Sequence, residues 1–169
     1  MAENDKMSAA RILVKRTVST DPDFQALVKL LDQDLARRDG KDHAFFAQIN
    51  KGGLPLLHVL VVYENEVAVG CGALRPCTDL QLLDNQLEIK RMWVNPDRRR
   101  QGFARLLLSE LEIWALELGY QSVQLETGRN QPEAIALYQK AGYIEIPRYG
   151  PYLPSDISVC FTKKLKRSN

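Results

Sequence analysis

A short loop with a clear chemical meaning lies at residues 99–104 and reads RRQGFA, between an apolar stretch and an amphipathic one. A loop that opens a helix leaves several backbone N–H groups without carbonyl partners, and the helix dipole adds positive potential there. Both features favour a bound anion. Gly102 would let the backbone close around a diphosphate, and Ala104 keeps the next turn small. The loop therefore predicts a pyrophosphate site. The alternative is a surface arginine run before an ordinary helix.

Other common ligand patterns are missing from the sequence. The loop lacks the Gly-Lys-Ser/Thr of a Walker loop and the GxGxxG of a dinucleotide-binding fold. The three cysteines form no CxxC pair. His43 and His58 have no third ligand at a suitable spacing, so we expect no metal.

Composition restricts the classes of partner. The chain has 169 residues, of which 45% are hydrophobic and 26% charged, as in ordinary globular proteins. Its net charge of +2 gives no overall field toward nucleic acid or an acidic membrane. The arginine run at 98–100 lacks the interleaved aromatic residues of a nucleic-acid surface. We therefore expect neither nucleic acid nor membrane as a partner.

The compartment is predicted from three features. The first residues lack the apolar core of a signal peptide, and no apolar run is long enough to span a membrane. The cysteines are few and odd in number, which suggests a reducing environment. We expect a cytoplasmic protein with a flexible N-terminus at 1–9 and a single domain at 10–166.

The spacing of apolar residues predicts the elements that position the loop. Strands are expected at 11–19, 56–63, 66–74, 86–94, 121–126, 143–146 and 157–165, and helices at 22–39, 42–50, 103–118 and 132–141. Residues 77–85 are expected to form a loop. The third helix has an apolar stripe of Phe103, Leu107, Leu111, Trp114 and Leu118. Gly70 and Gly72 inside a strand predict a bend or a close backbone approach.

The order of these elements predicts the fold class. Three consecutive strands favour an antiparallel part of a sheet, whereas the strand-helix-strand unit at 86–126 favours one parallel crossover. We expect an α/β protein with a mixed, mostly antiparallel central sheet and helices on both faces.

Two segments of the chain resemble signatures of the GNAT superfamily of N-acetyltransferases. They are EIKRMWVNPDRRRQGFARLLLSELEIWA at 88–115 and TGRNQPEAIALYQKAGY at 127–143. The resemblance implies the GNAT (acyl-CoA N-acyltransferase) fold, acetyl-CoA as co-substrate and acetyl transfer to an amine. The single domain at 10–166 would then be an N-acetyltransferase domain.

The resemblance also implies where the cofactor binds. Backbone N–H groups of the loop would hold the pyrophosphate, and strand 86–94 would separate from strand 121–126 to admit pantetheine. Arginines beside the helix suit the CoA phosphates. The residues expected to bind CoA are Arg99, Arg100, Gln101, Gly102, Phe103, Ala104 and Arg105 in the loop, Met92, Trp93 and Val94 on the strand edge, and Asn130.

Glu88 is the first candidate for the catalytic base, because the attacking ammonium must lose a proton. Its position before the loop resembles that of the glutamate in the histone-acetyltransferase branch. On a regular strand Glu88 shares a face with Lys90 and Met92, and partial burial would raise its pKa. The alternatives are a structural carboxylate paired with Lys90 or Arg91, a base at Glu126, or ordered water.

Tyr138 is the candidate acid, since the leaving CoA thiolate benefits from a proton. It occupies the position in the second signature where the superfamily commonly has such a tyrosine, and a phenol suits an alkyl thiolate. The alternative is a core aromatic residue. Asn130 would hydrogen-bond the pantetheine arm or cap the following helix.

The acceptor pocket would be built by the first helices, the hairpin and the segment before the last strand. Its candidate residues are Arg37, Phe46, Arg75, Glu126 and Tyr149, with Asp39, His43, Arg148 and Tyr152 as further ones. Arg75 or Arg148 could hold an acceptor carboxylate. We expect direct attack in a ternary complex on a small-molecule amine or amino acid. The alternatives are acetylation of a protein lysine or N-terminus and a catalytically silent CoA-binding regulatory module. A homodimer is left open.

Overall fold

The computed structural model describes residues 10–52, 55–77 and 86–166. The predicted flexible segment 1–9 and most of the predicted loop 77–85 lie outside them. The strands are β1 (Ile12–Thr17), β2 (His58–Glu64), β3 (Val67–Pro76), β4 (Gln86–Val94), β5 (Ser122–Gly128), β6 (Ile144–Ile146) and β7 (Ser158–Lys164), and the helices are α1 (Pro22–Asp39), α2 (His43–Gly52), α3 (Phe103–Glu117) and α4 (Pro132–Lys140). Short 3-10 helices lie at Gly40–Asp42, Pro96–Arg98 and Gly150–Tyr152.

One seven-stranded sheet runs through the structure in the order β1-β2-β3-β4-β5-β7-β6. Strands β4 and β5 are parallel, and the other neighbouring pairs are antiparallel. Helix α1 packs on one face, and α3 and α4 pack on the other. The predicted mixed, mostly antiparallel sheet with helices on both faces is confirmed. In the described part of the chain, no helix has the length and apolar character needed to cross a membrane.

Strand β2 shows how the sheet supports helices on both faces. Val59 and Val61 point to the α1 side, where they share a cluster with Leu27, while Leu60 and Val62 join the cluster on the α3 side. Each such burial contributes about 1.5–3 kcal/mol relative to an exposed side chain. An apolar run in this strand is therefore required by the two helical layers.

Helix α3 follows its predicted stripe except at the end. Phe103, Leu107 and Leu111 are buried as expected, but Leu118 is 40% exposed. The helix stops at Glu117, and Gly119, with φ of 91°, turns the chain away. Leu118 therefore lies beyond the last helical turn, where helical periodicity no longer applies.

A β-bulge interrupts β4, where Arg91 and Met92 together lie opposite Gly72 of β3. Arg91 has φ of 58°, in the left-handed region that costs a non-glycine residue about 1–2 kcal/mol. Its guanidinium donates to Asp32 Oδ1 of α1 at 2.7 Å, and its carbonyl accepts from the Cys71 thiol at 3.3 Å. These contacts hold the strained residue between the sheet and α1.

The bulge changes which face of the sheet Met92 occupies. The extra residue reverses the alternation after Lys90, so Met92 packs on the α3 side. The prediction that Met92 shares a face with Glu88 and Lys90 is therefore wrong for Met92. A Cβ on Gly72 would lie 2.8 Å from Met92 Sδ and 2.9 Å from Leu111 Cδ1, which confirms the close approach predicted at this glycine.

Strands β4 and β5 separate after a short paired segment. Their parallel register runs from Gln86 opposite Ser122 to Ile89 opposite Leu125. No further pair joins them, although both strands continue. The predicted separation of these two strands is confirmed, and it leaves an opening at the centre of the sheet.

Candidate active site

A cavity occupies the opening between β4 and β5, and α1 and α2 contribute one side of it. Its lining combines an apolar wall with several ionisable and hydrogen-bonding groups. The apolar residues are Leu31, Leu35, Phe46, Ile49, Ile89 and Met92, and the polar ones include Asp39, Asn50, Lys90, Arg91, Glu126, Thr127, Gln131, Tyr138 and Tyr152. Phe46 and Glu126, predicted for the acceptor pocket, and Met92, predicted for the pantetheine edge, all line this cavity.

The predicted pyrophosphate loop has the backbone shape of an anion site. Arg100 and Gly102 have φ of 63° and 91°, and α3 begins at Phe103. The first amide of this helix to reach a carbonyl is that of Leu106, which donates to Gly102 at 2.9 Å. Within the described chain, the N–H groups of residues 103–105 have no acceptor and no side-chain cap. Free amides at this end are what an anion requires.

The arginine side chains beside the loop are mostly engaged within the protein. Arg98 Nε donates to Glu64 at 2.6 Å, and Arg99 Nε donates to the Val94 carbonyl at 3.0 Å. Arg100 is exposed, and no other described residue contacts its guanidinium through a hydrogen bond or ion pair. Of Arg99 and Arg100, which were both expected to bind CoA, Arg100 is the one whose guanidinium no described residue engages.

Asp34 of α1 is a buried hub that sequence reasoning missed. It accepts from Arg37, Arg38 and Arg99, and from the indole N–H of Trp93 at 3.3 Å. Burial raises the pKa of Asp34, but the hydrogen bonds from Arg99, Arg37 and Arg38 outweigh it and lower the pKa overall. Helical spacing from Asp34 points to Arg37 and Arg38, whereas nothing local points to Arg99 or Trp93.

Three of the predicted site residues, Arg37, Trp93 and Arg99, contact Asp34 and do not line the cavity. The Arg37 side chain is 74% exposed where it meets Asp34, and Trp93 is buried. Neither contributes to the cavity lining. The loop residues differ in exposure: Phe103 lies in the core, whereas Gln101 and Arg105 are exposed.

Glu88 lies at the centre of a saturated polar cluster. It is 1% exposed and pairs with Arg75, whose Nε and Nη2 both lie 2.7 Å from Oε2. The hydroxyls of Tyr149 and Tyr152 donate to Oε1 at 3.1 and 2.7 Å. Lys90 Nζ in turn donates to the Tyr152 hydroxyl at 2.7 Å. Arg75 and Tyr149, predicted for the acceptor pocket, are thus buried partners of Glu88 and do not line the cavity.

The pKa of Glu88 moves opposite to the prediction. Burial raises it, but the charges of Lys90 and Arg75 and the hydrogen bond from Tyr152 outweigh burial and lower it. The predicted rise in the pKa of Glu88 is wrong, because the buried carboxylate is surrounded by hydrogen-bond donors and positive charges. The ion-pair partner is Arg75, not the suggested Lys90 or Arg91. A role for Glu88 as base stays a prediction, and it would need a carboxylate that is not already saturated.

Glu126 on β5 has the properties that were expected of Glu88. It lines the cavity, is partly buried and accepts a hydrogen bond from Ser158 Oγ. Burial raises its pKa, and the charge of Lys90 and the Ser158 hydroxyl only partly oppose this. A carboxylate with a raised pKa at a cavity wall is suited to accept a proton near neutral pH.

Tyr138 of α4 packs as a core aromatic residue and also lines the cavity, while its role as the acid stays a prediction. Its ring packs edge-on against Tyr143 with a centroid distance of 5.7 Å, and the residue also lines the cavity. Burial raises the pKa of its phenol, and the charge of Glu126 adds to the rise. Tyr138 is therefore protonated at neutral pH, although a raised pKa makes its phenol a weaker acid than an ordinary one.

Asp39, at the end of α1, is a buried carboxylate with an unsatisfied oxygen. It lines the cavity, and its Oδ1 has no hydrogen-bond partner among the described residues. Burial raises its pKa. The N-cap of α4 is Gln131, so the alternative role of Asn130 as the helix cap is wrong. In the described ranges, no group of three or more His, Cys, Asp or Glu residues could hold a metal ion.

Comparisons with known proteins agree with this geometry. The sequence matches the Acetyltransferase (GNAT) family over residues 24–143. An IAA acetyltransferase from Azospirillum brasilense is 36% identical over 111 residues, which are 66% of this chain and 70% of that protein. The chain spans 37% of human N-acetyltransferase 8, with which it shares 35% identity over 83 residues, or 49% of its own length.

Solved structures show the same fold. A Klebsiella pneumoniae protein named as an acyl-CoA N-acyltransferase superposes with a TM-score of 0.73 at 30% identity, over 92% of this chain and 98% of that one. An Escherichia coli GNAT family N-acetyltransferase, solved in complex with CoA, gives a TM-score of 0.64 at 25% identity, over 94% and 84% of the two chains. The chain belongs to the GNAT family of acetyltransferases and is an acyltransferase.

Proposed function

We propose that this acyltransferase moves the acetyl group of acetyl-CoA to the primary amine of a small molecule, by direct attack in a ternary complex. The observation that supports this most is the cavity where β4 and β5 separate. It brings together a carboxylate of raised pKa, Glu126, and a protonated phenol, Tyr138. One group can take a proton from an ammonium ion, and the other can give one to a thiolate.

The described residues fit acetyl-CoA. Free amides at residues 103–105 and the exposed Arg100 suit the pyrophosphate. The separated edges of β4 and β5 can pair with an extended amide chain such as pantetheine. Acetyl-CoA supplies a thioester carbon that an amine can attack.

The chain's own residues then handle two protons. Glu126 accepts the proton that the ammonium loses, which leaves a neutral nucleophile. Tyr138 donates its phenolic proton to the sulfur as the C–S bond breaks. The second proton, which the amine nitrogen loses as the amide forms, restores the Tyr138 phenol, and Glu126 releases the first proton to solvent. In this scheme Glu88 fixes Tyr152 and Lys90 at the cavity wall and does not exchange a proton.

Release of CoA thiol, followed with a thiol reagent, tests this function. We expect acetyl-CoA to bind in a calorimetric titration and CoA release to depend on added amine. Binding without turnover on small amines, protein lysines or N-termini would favour a silent regulatory module. Absence of acetyl-CoA binding would contradict the proposal. Turnover only on peptides would replace the small-molecule acceptor with a protein one.

A further inference from the structure

We infer that the acceptor is an apolar amine without a carboxylate, and that its ammonium group binds at Asp39 beside Glu126. This inference rests on the proposed function and names its substrate class. An arylalkylamine is the simplest compound with this chemistry. An amino acid of the same side chain carries one more negative charge.

The charged groups that the structure describes around the cavity leave one carboxylate oxygen without a hydrogen-bond donor, at a position that an ammonium ion could occupy. Arg75 balances Glu88, and Lys90 lies close enough to Glu126 to oppose the rise in its pKa. Asp39 remains: burial raises its pKa, His43 and Arg38 act to lower it, and its buried Oδ1 has no donor within the described chain. A buried unsatisfied carboxylate oxygen is costly, and a bound cation would relieve that cost.

Asp39 and Glu126 both line the cavity, and we place one ammonium within reach of both. The charge of Asp39 contributes to the raised pKa of Glu126, and both residues line the cavity. An ammonium held at Asp39 can therefore transfer a proton to Glu126. Asp39 acts as the binding group, whereas Glu126 takes part in the reaction.

The wall that α1 and α2 contribute, next to Asp39, fits an apolar body. Leu31 and Leu35 of α1 and Phe46 and Ile49 of α2 all line the cavity. An aromatic or alkyl group that leaves water for this wall gains roughly 25 cal/mol per Å² of apolar surface buried. Apart from Asp39 itself, Asn50 of α2 is the hydrogen-bonding side chain that these two helices add to the described lining.

The cations that could have held an acceptor carboxylate are engaged elsewhere. Arg75 is bound to Glu88, and Arg148 donates to the Ser155 carbonyl. Of the two cations in the lining, Arg91 pairs with Asp32 at 2.7 Å and Lys90 with the Tyr152 hydroxyl. A carboxylate placed beside Asp39 and Glu126 would meet like charge, which costs several kcal/mol.

A matched substrate pair gives a test that needs no variant. We compare kcat/KM for 2-phenylethylamine and L-phenylalanine, which share the aryl group and differ by the carboxylate. We expect the amine to be favoured about tenfold or more, since each 1.4 kcal/mol is a factor of ten. Equal values, or a preference for phenylalanine or for lysine peptides, would overturn the inference and leave amine acetylation standing. Absence of turnover on every amine would remove both proposals.

A second test uses Asp39→Asn with Asp42→Asn as the control. Asp42 is a neighbouring carboxylate whose charge acts on Asp39, but it does not line the cavity. With 2-phenylethylamine, we expect Asp39→Asn to raise KM about tenfold while the Kd for acetyl-CoA stays within twofold. Asp42→Asn should leave both values near wild type. An unchanged KM in Asp39→Asn, or a weakened Kd for acetyl-CoA, would overturn the assignment.

Discussion

Two glutamates on adjacent parallel strands show opposite behaviour in this protein. Glu88 on β4 meets an arginine and two tyrosine hydroxyls, and its pKa is lowered. Glu126 on β5 accepts one side-chain hydrogen bond, from Ser158, faces a cavity, and has a raised pKa. Burial alone would raise the pKa of both carboxyl groups. The difference comes from the donors and cations that surround each one.

The comparison separates a structural cluster from a chemical one. A saturated carboxylate holds its neighbours in fixed positions, whereas an unsaturated one can exchange a proton or bind a cation. Tyr152 joins the two clusters, since it donates to Glu88, accepts from Lys90 and lines the cavity. The cluster around Glu88 therefore positions Tyr152 in the wall of the cavity that contains Glu126.

Removal of the proposed base should have the largest effect. We expect Glu126→Gln to lower kcat about 10²- to 10⁴-fold, the usual contribution of a general base, with little change in Tm. Steady-state turnover and thermal unfolding measure the two quantities. A variant with wild-type kcat would assign the proton transfer to another group.

Disruption of the cluster around Glu88 should lower the stability of the fold. Arg75→Met leaves the Glu88 carboxylate buried without its cation, which should lower the free energy of unfolding by about 3–5 kcal/mol. The pair of Arg98 and Glu64, in which the arginine side chain is 43% exposed, supplies a control, because Arg98→Met should cost about 0–1 kcal/mol. Urea unfolding compares them. Similar losses in both variants would show that the Glu88 cluster is not the stronger support.

Replacement of the proposed acid should slow the reaction without weakening cofactor binding. We expect Tyr138→Phe to lower kcat by about 10²-fold, near the lower end for acid–base groups, with an unchanged Kd for acetyl-CoA. Tyr143→Phe is the matched control, since its ring packs against Tyr138 and its hydroxyl donates to Glu112 at 2.9 Å. Equal losses of kcat in both variants would indicate packing and not proton donation.

A substitution at Gly72, opposite the bulge in β4, should have the smallest effect. Gly72→Ala brings a methyl group against Met92 Sδ and Leu111 Cδ1 and should cost about 1–3 kcal/mol of stability. Adding Met92→Ala should recover part of the loss, because the nearest contact is removed. Purely additive effects in urea unfolding would mean that this contact does not restrict residue 72.

The fold was predictable where the signal is local. Periodic apolar residues, Gly119 and the two signatures located the helices, the parallel pair and the cavity region. The bulge at Arg91 was not, because no turn residue marks it and its support comes from Asp32, 59 positions away in the chain. One extra residue then reversed the orientation of Met92.

The site was predictable in its residue types more than in its partners. Glu126 and Tyr138 lie at the cavity as expected, but nothing near Glu88 in the sequence identifies Arg75, Tyr149 and Tyr152 as its partners. Those partners come from β3 and from the segment before β7. The hydrogen bonds and charge of these partners lower the pKa of Glu88. The direction of that pKa shift could therefore be known only from the tertiary structure.

The pH dependence of kcat at saturating amine and acetyl-CoA tests the central claim most directly. A base must be deprotonated, so kcat should fall as pH drops through the pKa of Glu126, which lies above the ordinary glutamate value of 4.5. The wild-type fall should therefore occur above pH 4.5 and disappear in Glu126→Gln, and folded Glu88→Gln should retain it. A fall that persists in Glu126→Gln and vanishes in Glu88→Gln would contradict the assignment of structure to Glu88 and chemistry to Glu126.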